Sequence, residues 1–533
     1  MRSDRSSERL SIPAAISAAS IDRRKLLKFG AASALMAGLV GPVGILDGTA
    51  LAQSSGGRIR LATADVSPGD NLDPATQVSF TDCIRSYLAF EKLTDIGSDG
   101  RIVPQIAKAW SADPSAKVWT FELEPGVTFH DGRPLTPADV IYSFQRVADK
   151  KTASPGGVFL GAVTKIEADG TDKVRFELSE ANAEFPVLTS IRYMAIVPEG
   201  TTDFTKEING SGPWKLSRFE PGISALYLRN DKYRIAGLPL VEEIDSFGIG
   251  DETARLSALL AGEADIIQAL NAKAVPQVRA SGHAGALIAE GGATATFPMR
   301  VDRAPFDNID VRRALKLAFD REEFIKLAFD GAAAPGYDHP IPPGDPFFAT
   351  DIPLPKPDPE EVKRLLTKAG HADTVFELHT SDANYGGANA AVVLSQLMAR
   401  NGVKVKVIRH PSDSYWTAVW MQVPWCASSW TVRPSAITRI EAGYITGAPQ
   451  NEAFWTDPEV DRLVAQAKAD LDDASRKAAL VEVQKIIAAK GGTIVGAFVP
   501  WIDGYASTVK NLEPNPIVFA GAGHWTKVTV EPA

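Results

Sequence analysis

The sequence contains few side chains whose types and spacing suit a chemical reaction. Ser507 and Lys510 match the S-x-x-K spacing that places a serine nucleophile beside a lysine base. A pattern of four residues recurs by chance, and the chain has no G-x-S-x-G, H-E-x-x-H, G-x-x-x-x-G-K-[ST] or G-x-G-x-x-G motif. We therefore predict that these two residues lie at a strand edge or in a loop and that the chain is not an enzyme. A hydrolase is the alternative.

Side chains that ligate metals are also sparse. Among the seven histidines only His371 and His379 are close in sequence, and their separation of eight positions is not a zinc spacing. The two cysteines, Cys83 and Cys426, are too few for a zinc or iron–sulfur cage. We expect both to be buried thiols and leave open whether they pair. The sequence thus predicts neither a metal site nor a cofactor.

Tryptophans are concentrated in one segment. Trp416, Trp420, Trp425 and Trp430 are four of the ten tryptophans in the chain. Each indole offers a large rigid apolar face and a single N–H donor, which suits either core packing or contact with a ligand. For Trp420 and Trp425 we favour core packing.

Capping signals predict several helices. Thr136, Pro137 and Asp139 form a capping box that begins a helix. The dipeptides Asp358-Pro359 and Asp457-Pro458 repeat this arrangement ahead of apolar stripes with helical spacing. These positions are predicted to be helix N-termini.

Strand signals lie between the predicted helices. Trp119, Phe121 and Leu123 alternate with polar residues, and the turn Glu124-Pro125-Gly126 predicts a hairpin with residues 127–129. Eight prolines in residues 333–358 predict an extended loop rather than a helix or a central strand. The alternation of helices and short strands predicts an α/β fold.

Length and charge narrow the class of protein. The 533 residues suggest about three structural units. Charged residues make up 23% and the net charge is −9, which argues against nucleic acid as a partner.

Residues 1–52 have the layout of an export signal. The basic stretch around Arg23 and Arg24 is followed by an uncharged run interrupted by glycines, and then by Ala50-Leu51-Ala52. The arginine pair resembles a twin-arginine signal. We predict export by the twin-arginine machinery and cleavage after about Ala52, with a short N-terminal membrane anchor as the alternative.

Four sequence segments carry a resemblance to a known family. They are PQIAKAW at 104–110, WTFEL at 119–123, GVTFHDG at 126–132 and LTPADV at 135–140. NLDP at 71–74 and GSGPW at 210–214 support them. In this order the segments resemble the extracytoplasmic solute-binding proteins, family 5, of peptide and nickel ABC importers. The resemblance covers about residues 58–530.

The resemblance implies an α/β clamp of two lobes that closes over a solute in the periplasm. The first lobe would comprise residues 53–299, with an inserted subdomain at about 104–209, and the second lobe residues 300–500. Residues 501–533 would return to the first lobe, with crossings near residues 297–301 and 499–505. The expected partners are a small organic or peptide-like solute and the ABC permease and ATPase complex. The expected state is a monomer.

The resemblance also implies a set of cleft-lining residues. Peptide binders of the family often have an aspartate where this chain has Arg433, so the charge that faces the ligand is reversed. An arginine there would hold a carboxylate or phosphate, unless it forms a structural salt bridge. The implied ligand-binding residues are Arg433, Trp430, Trp416, Thr431, Ser429, Phe80, Gln268, Tyr444 and Asn451. A nickel or metal-chelate binder of the same fold is the alternative.

Overall fold

The computed structural model describes residues 56–205, 207–515, 517, 519–521 and 524–532. The predicted export signal, with Arg23, Arg24 and the cleavage site, lies outside these residues. Within the described chain, no helix is both long enough and apolar enough to cross a bilayer.

The strands are short, apart from two long ones that pair with each other. They are β1 (Arg58–Thr63), β2 (Thr94–Ile96), β3 (Ile102–Pro104), β4 (Ala107–Ala112), β5 (Val118–Leu123), β6 (Val163–Ala168), β7 (Lys173–Leu178), β8 (Trp214–Glu220), β9 (Ser224–Arg229), β10 (Glu243–Gly248), β11 (Ile266–Ile267), β12 (Ala284–Pro298), β13 (Ala334–Pro335), β14 (Val375–Thr380), β15 (Lys404–Arg409), β16 (Ser428–Thr431), β17 (Thr493–Ala506), β18 (Val509–Lys510) and β19 (Thr529–Val530).

The helices alternate with these strands over most of the chain. They are α1 (Phe80–Ala89), α2 (Pro137–Ala148), α3 (Phe185–Leu188), α4 (Glu252–Leu260), α5 (Val275–Ala280), α6 (Ile309–Lys316), α7 (Arg321–Ala328), α8 (Pro359–Lys368), α9 (Gly387–Arg400), α10 (Tyr415–Ala418), α11 (Ala436–Gly443), α12 (Pro458–Ala469) and α13 (Asp473–Lys490).

Capping residues begin the helices where the sequence predicts. Asp139 accepts hydrogen bonds from the backbone N–H and the hydroxyl of Thr136 at the start of α2, both at 2.8 Å. Asp358 and Asp457 accept from backbone N–H groups of the first turns of α8 and α12. These hydrogen bonds confirm the predicted helix N-termini. The N-termini could be predicted because a helix cap involves only residues that are neighbours in the sequence.

The predicted hairpin after β5 is wrong. Strand β5 pairs with β4 on one edge and with β7 on the other, so neither edge is free for residues 127–129. Those residues instead pair locally with residues 133–135, through a bridge between Thr128 and Pro134 and neighbouring backbone hydrogen bonds. The strand alternation was visible in the sequence, but its partners were not.

Strands β12 and β17 run through both halves of the largest sheet. The order of that sheet is β16-β12-β17-β11-β1-β10-β9-β8, with β13 also paired to β17. The pairing of β12 with β17 is irregular between Ala289 and Ala293, opposite Val499 and Trp501. On one side of this break, β17 also pairs with β11. On the other side, β12 also pairs with β16. The two strands therefore form the double connection between the lobes.

The break in pairing bears on where the chain crosses between lobes. The predicted second crossing, residues 499–505, includes the break in β17. The predicted first crossing, residues 297–301, lies after the break in β12, where Phe297 and Met299 pack in one apolar core with Trp425. The irregular pairing therefore precedes the predicted first crossing, and the position of that crossing stays a prediction.

Each part of the fold has its own apolar core. The first lobe packs α1 on the strands around β1, with Trp214 and Tyr227 buried. The sheet β4-β5-β7-β6 and α2 share a second core around Phe121, Phe144 and Phe176, within the segment predicted to be an inserted subdomain. The second lobe has one core around β14, α6 and α9 and another among α11, α12 and α13.

Candidate ligand-binding cleft

A continuous cleft runs between the two lobes. Its middle is a cavity of about 350 Å³ lined by residues 98–100 of the first lobe, residues 288–291 of β12 and the proline segment 342–346. It shares Gly291, Pro342 and Arg439 with a narrow pocket beside Trp430. At its other end it meets a cavity of about 690 Å³ between the inserted subdomain and the second lobe.

Arg433 lines the narrow pocket just after β16. Its Nη2 donates to Oε1 of Gln450 at 2.6 Å, and its guanidinium lies 5.6 Å from the centre of the Trp430 ring. Its Nε is buried and has no hydrogen-bond partner in the part of the chain that the structure describes, and burial lowers the pKa of the guanidinium. Among the described residues, no carboxylate lies within salt-bridge distance of this arginine. The narrow pocket therefore contains a partly desolvated cation without a counter-charge.

Trp430, Thr431 and Tyr444 line the same narrow pocket. The N–H of Trp430 points away from it and donates to Oε1 of Glu452 at 3.0 Å. Ser429, also on β16, pairs with Ala295 of β12 beside the pocket. The structure thus brings four residues that the resemblance had indicated to one pocket: Arg433, Trp430, Thr431 and Tyr444. Ser429 is next to Trp430 on β16 but lines none of the three cavities, so its contact with a ligand stays a prediction.

Two other predicted residues lie elsewhere. Trp416 is 39% exposed, packs edge-on against Tyr415 and Trp420, and lines none of the three cavities. The side chain of Asn451 donates to the carbonyl of Trp455 at 2.6 Å and accepts from its N–H. A direct ligand contact by either residue stays a prediction.

The first-lobe candidates Phe80 and Gln268 are also engaged with the protein. Phe80 stacks edge-on against Trp501 and Phe519, with ring centres 5.4 and 4.8 Å away. Gln268 is 1% exposed, and its Oε1 accepts from the N–H of Ala64 at 3.0 Å. Its Nε2 is buried and has no hydrogen-bond partner among the described residues, so both N–H donors of this amide are unused beneath the first-lobe surface.

The tryptophan and cysteine predictions have clear outcomes. Trp425 is fully buried in the second-lobe core, as predicted, and Trp420 is half-buried against Val419 and Tyr415. Cys83 and Cys426 are buried free thiols, as expected. Burial raises the pKa of the Cys83 thiol to about 11 and that of Cys426 to about 12, so both are poor nucleophiles.

The residues considered for a hydrolase or for a metal site have other contacts in the described structure. Nζ of Lys510 donates to the backbone carbonyl of Ser507 at 2.7 Å. His371 contacts Thr374, whereas His379 contacts His410 at 2.8 Å. In the described part of the chain, no three histidine, cysteine, aspartate or glutamate side chains are grouped to hold a metal ion.

The cleft also depends on residues that sequence reasoning missed. Gln450 holds Arg433, and Glu452 lies behind Trp430. Thr296, which also lines the narrow pocket, donates to Glu452. A single acid in a mixed segment is a weak signal, and nothing in the sequence links position 296 to position 452. Only the fold shows that these residues surround the pocket.

The inserted subdomain contacts the second lobe directly. The N–H of Ala183 donates to the carbonyl of Lys468 at 2.7 Å. The ammonium of Lys468 binds Glu180 of the subdomain at 2.7 Å and Glu441 of α11 at 2.9 Å. Next to this contact Glu184 is 5% exposed and faces Ser435 and Arg476 of the second lobe.

We expect replacement of Glu184 by glutamine to stabilise the protein more at high pH than at low pH. Burial raises the pKa of this carboxyl to about 7, whereas its unfolded value is about 4.3. Folding therefore favours the neutral acid, and stability falls as the pH rises from the unfolded pKa through about 7. Glu184→Gln has no carboxyl to ionise and so lacks this loss of stability. The difference in the free energy of unfolding between the variant and the parent should therefore grow by about 2 kcal/mol in favour of the variant between about pH 5 and about pH 8.

Urea unfolding of both proteins across this pH range measures the difference. Glu199→Gln changes an exposed glutamate of the same subdomain and should follow the parent at every pH. Parallel pH profiles for the parent and Glu184→Gln would contradict the assignment.

A fold with two lobes, two connecting strands and a cleft between them defines a clamp that encloses a ligand. The chain aligns with HbpA2 from Haemophilus parasuis with a TM-score of 0.81 and 21% identity, over 89% of this chain and 100% of that one. This agreement confirms the predicted two-lobed α/β fold.

Sequence comparison assigns the family. Residues 101–437 match the model of the bacterial extracellular solute-binding proteins, family 5. The probable di/tripeptide-binding protein 5 of Pseudomonas aeruginosa is 26% identical, over 73% of this chain and 80% of that protein. The glutathione-binding protein GsiB of Pectobacterium atrosepticum is 24% identical, over 91% and 93%. The chain belongs to this family and is the substrate-binding component of an ABC transporter, not an enzyme.

Proposed function

We propose that this protein captures a small organic anion, peptide-like or opine-like, in the cleft between its lobes and delivers it to an ABC permease and ATPase complex. The observation that carries the proposal is the uncompensated guanidinium of Arg433 in the narrow pocket. A carboxylate or phosphate of the solute would supply the missing charge and accept hydrogen bonds from the planar guanidinium.

The size of the cleft supports a small solute. The pocket beside Arg433 is narrow, whereas the adjoining cavity of about 350 Å³ has room for the body of a small molecule. Cavities of this size usually enclose most of a small ligand and are lined by apolar groups with a few polar ones. Trp430 and the proline segment would supply the apolar contacts.

Closure would follow from contacts that exist only when both lobes meet the solute. The pocket of Arg433 belongs to the second lobe, and residues 98–100 of the first lobe line the adjoining cavity. A solute that bridges these surfaces binds the closed state better than the open state, which is the condition for a population shift.

The proposal includes the location of the protein. The arginine pair Arg23-Arg24 and the small residues before Gln53 support export by the twin-arginine machinery and cleavage after about Ala52. The mature protein would act in the periplasm as a monomer. Mass spectrometry of the secreted form tests the cleavage site, and light scattering tests the monomer.

Matched pairs of compounds test the charge of the solute. We expect glutathione or N-acetyl-alanyl-alanine to raise the melting temperature, and the amide of N-acetyl-alanyl-alanine to have little effect. A second series measures the binding of nickel alone and of nickel with citrate. Separately, native mass spectrometry of protein purified from its own periplasm identifies a co-purified solute.

The outcomes separate the candidates. Stabilisation by an acid but not by its amide, or a co-purified acid, supports the proposal. Preference for the cationic peptide alanyl-alanine amide, or no response to any acid and no acidic solute in the native spectrum, overturns it. Tight binding of nickel alone or of the nickel–citrate complex would favour the metal-chelate alternative.

A further inference from the structure

Glu452 is a buried acid surrounded by hydrogen-bond donors. It is 4% exposed, and no cation of the described chain pairs with it. Its Oε2 accepts from the indole N–H of Trp420 at 2.8 Å, and its Oε1 accepts from the indole N–H of Trp430 at 3.0 Å and from the hydroxyl of Thr296 at 3.1 Å. A buried carboxylate is tolerated when donors satisfy its oxygens.

The two indole hydrogen bonds determine how the rings face. An indole has only one N–H, so its bond to a fixed acceptor removes the freedom of the ring to turn over. The edge of Trp430 that bears the N–H is held toward Glu452, and its outer carbons lie against Gly443, where an added Cβ would come within 3.2 Å. The ring face is thereby left toward the narrow pocket and Arg433.

The short loop at residues 450–452 binds both the guanidinium of Arg433 and the ring of Trp430. Gln450 binds the guanidinium of Arg433, and Glu452 binds Trp430 two positions later. Asn451, between them, ties the loop to the backbone of Trp455. Residues 450–452 therefore set the relative position of the cation and the aromatic face.

We infer that Glu452 is a positioning residue whose carboxylate orients the ring of Trp430, and through that ring the guanidinium of Arg433, for an anionic ligand. This inference rests on the proposed function for its benefit to binding, but the orientation of the ring can be tested without a ligand. Glu452 itself would not touch the solute, because its oxygens are occupied by the protein.

The test uses protein labelled with 5-fluorotryptophan and observed by ¹⁹F NMR, with the Trp430 and Trp420 resonances assigned from Trp430→Phe and Trp420→Phe. We expect Glu452→Gln to shift both resonances, because an amide offers one oxygen instead of two, and Glu452→Ala to shift or broaden them further. Trp420→Phe should leave the Trp430 resonance near its parent position. Glu482→Gln, an exposed glutamate of α13, is the matched control and should shift neither resonance.

Acetate serves as the smallest carboxylate probe. Titration should move the Trp430 resonance of the parent, and Glu452→Gln should weaken the apparent affinity by about threefold to tenfold, with alanine worse than glutamine. An unchanged Trp430 resonance in Glu452→Gln overturns the inference, even if the melting temperature falls. A further outcome is that acetate shifts the Trp430 resonance in neither the parent nor Glu452→Gln, while the substitution itself still shifts that resonance. This result would support the orienting role of Glu452 and would contradict the anion site of the proposed function.

Discussion

Replacement of Arg433 by alanine is expected to weaken binding of the anionic solute by about tenfold to a hundredfold. A hydrogen bond to a charged group contributes about 1.5–3 kcal/mol, and each 1.4 kcal/mol is a factor of ten in affinity. The guanidinium has no acidic partner in the described protein, so the bound anion would be its only counter-charge. For the same reason, the variant should lose little stability without ligand.

Calorimetry with the acid that binds the parent measures this loss, and thermal unfolding checks the fold. Arg433→Lys keeps the charge but not the planar fork, so we expect an intermediate affinity. Arg462→Ala removes an exposed arginine of α12 and should bind like the parent. Equal affinities for the parent and Arg433→Ala would show that this arginine does not bind the solute.

Replacement of Asp338 by alanine is expected to lower the free energy of unfolding by about 3–5 kcal/mol. Arg321 and Asp338 form an ion pair of 2.7 Å whose side chains are 0% and 2% exposed. The second oxygen of Asp338 accepts from the N–H of Val495 on β17 at 3.1 Å. Loss of the carboxylate leaves the buried guanidinium of Arg321 without a counter-charge and a buried N–H without its acceptor. The hydrogen bond of Arg321 to the carbonyl of Gly336 at 3.3 Å and its stacking on Phe319 do not replace the ion pair.

Urea unfolding measures the effect, and two variants provide contrast. Arg364→Ala breaks an exposed pair with Glu361 and should cost less than about 1 kcal/mol. The double variant Arg321→Met with Asp338→Leu removes both charges and should be more stable than Asp338→Ala alone. If Asp338→Ala unfolds at the same urea concentration as the parent, the buried pair does not stabilise the second lobe.

Much of the fold could be predicted because its signals are local. Thr136, Asp358 and Asp457 begin α2, α8 and α12 as predicted, since a capping side chain bonds to backbone groups a few residues away. Residues 311–329, which are rich in Leu, Ala and Phe, lie mostly in two helices, α6 and α7, and Asp320 caps the second helix. An apolar stripe predicts helix but does not show where one helix ends and the next begins.

The candidate site was predictable only in part. The resemblance indicated the segment of Trp430 and Arg433, and the structure places both beside the cleft. It also indicated Asn451, whose side chain is bound to the backbone of Trp455, but it gave no sign of Glu452. Family resemblance transfers positions along the chain, whereas a side chain's partners depend on the loops that pack against it.

The amino-acid sequence by itself determined the family, several helix N-termini and the presence of an arginine in an aromatic segment. The tertiary structure alone decided that this arginine has no acid beside it among the described residues. It also decided that Thr296 and Trp430, which line the pocket, both bind Glu452. The reason is physical: hydrogen bonding and charge pairing depend on distance in space. These residues come from separate strands and loops, and only folding brings them together.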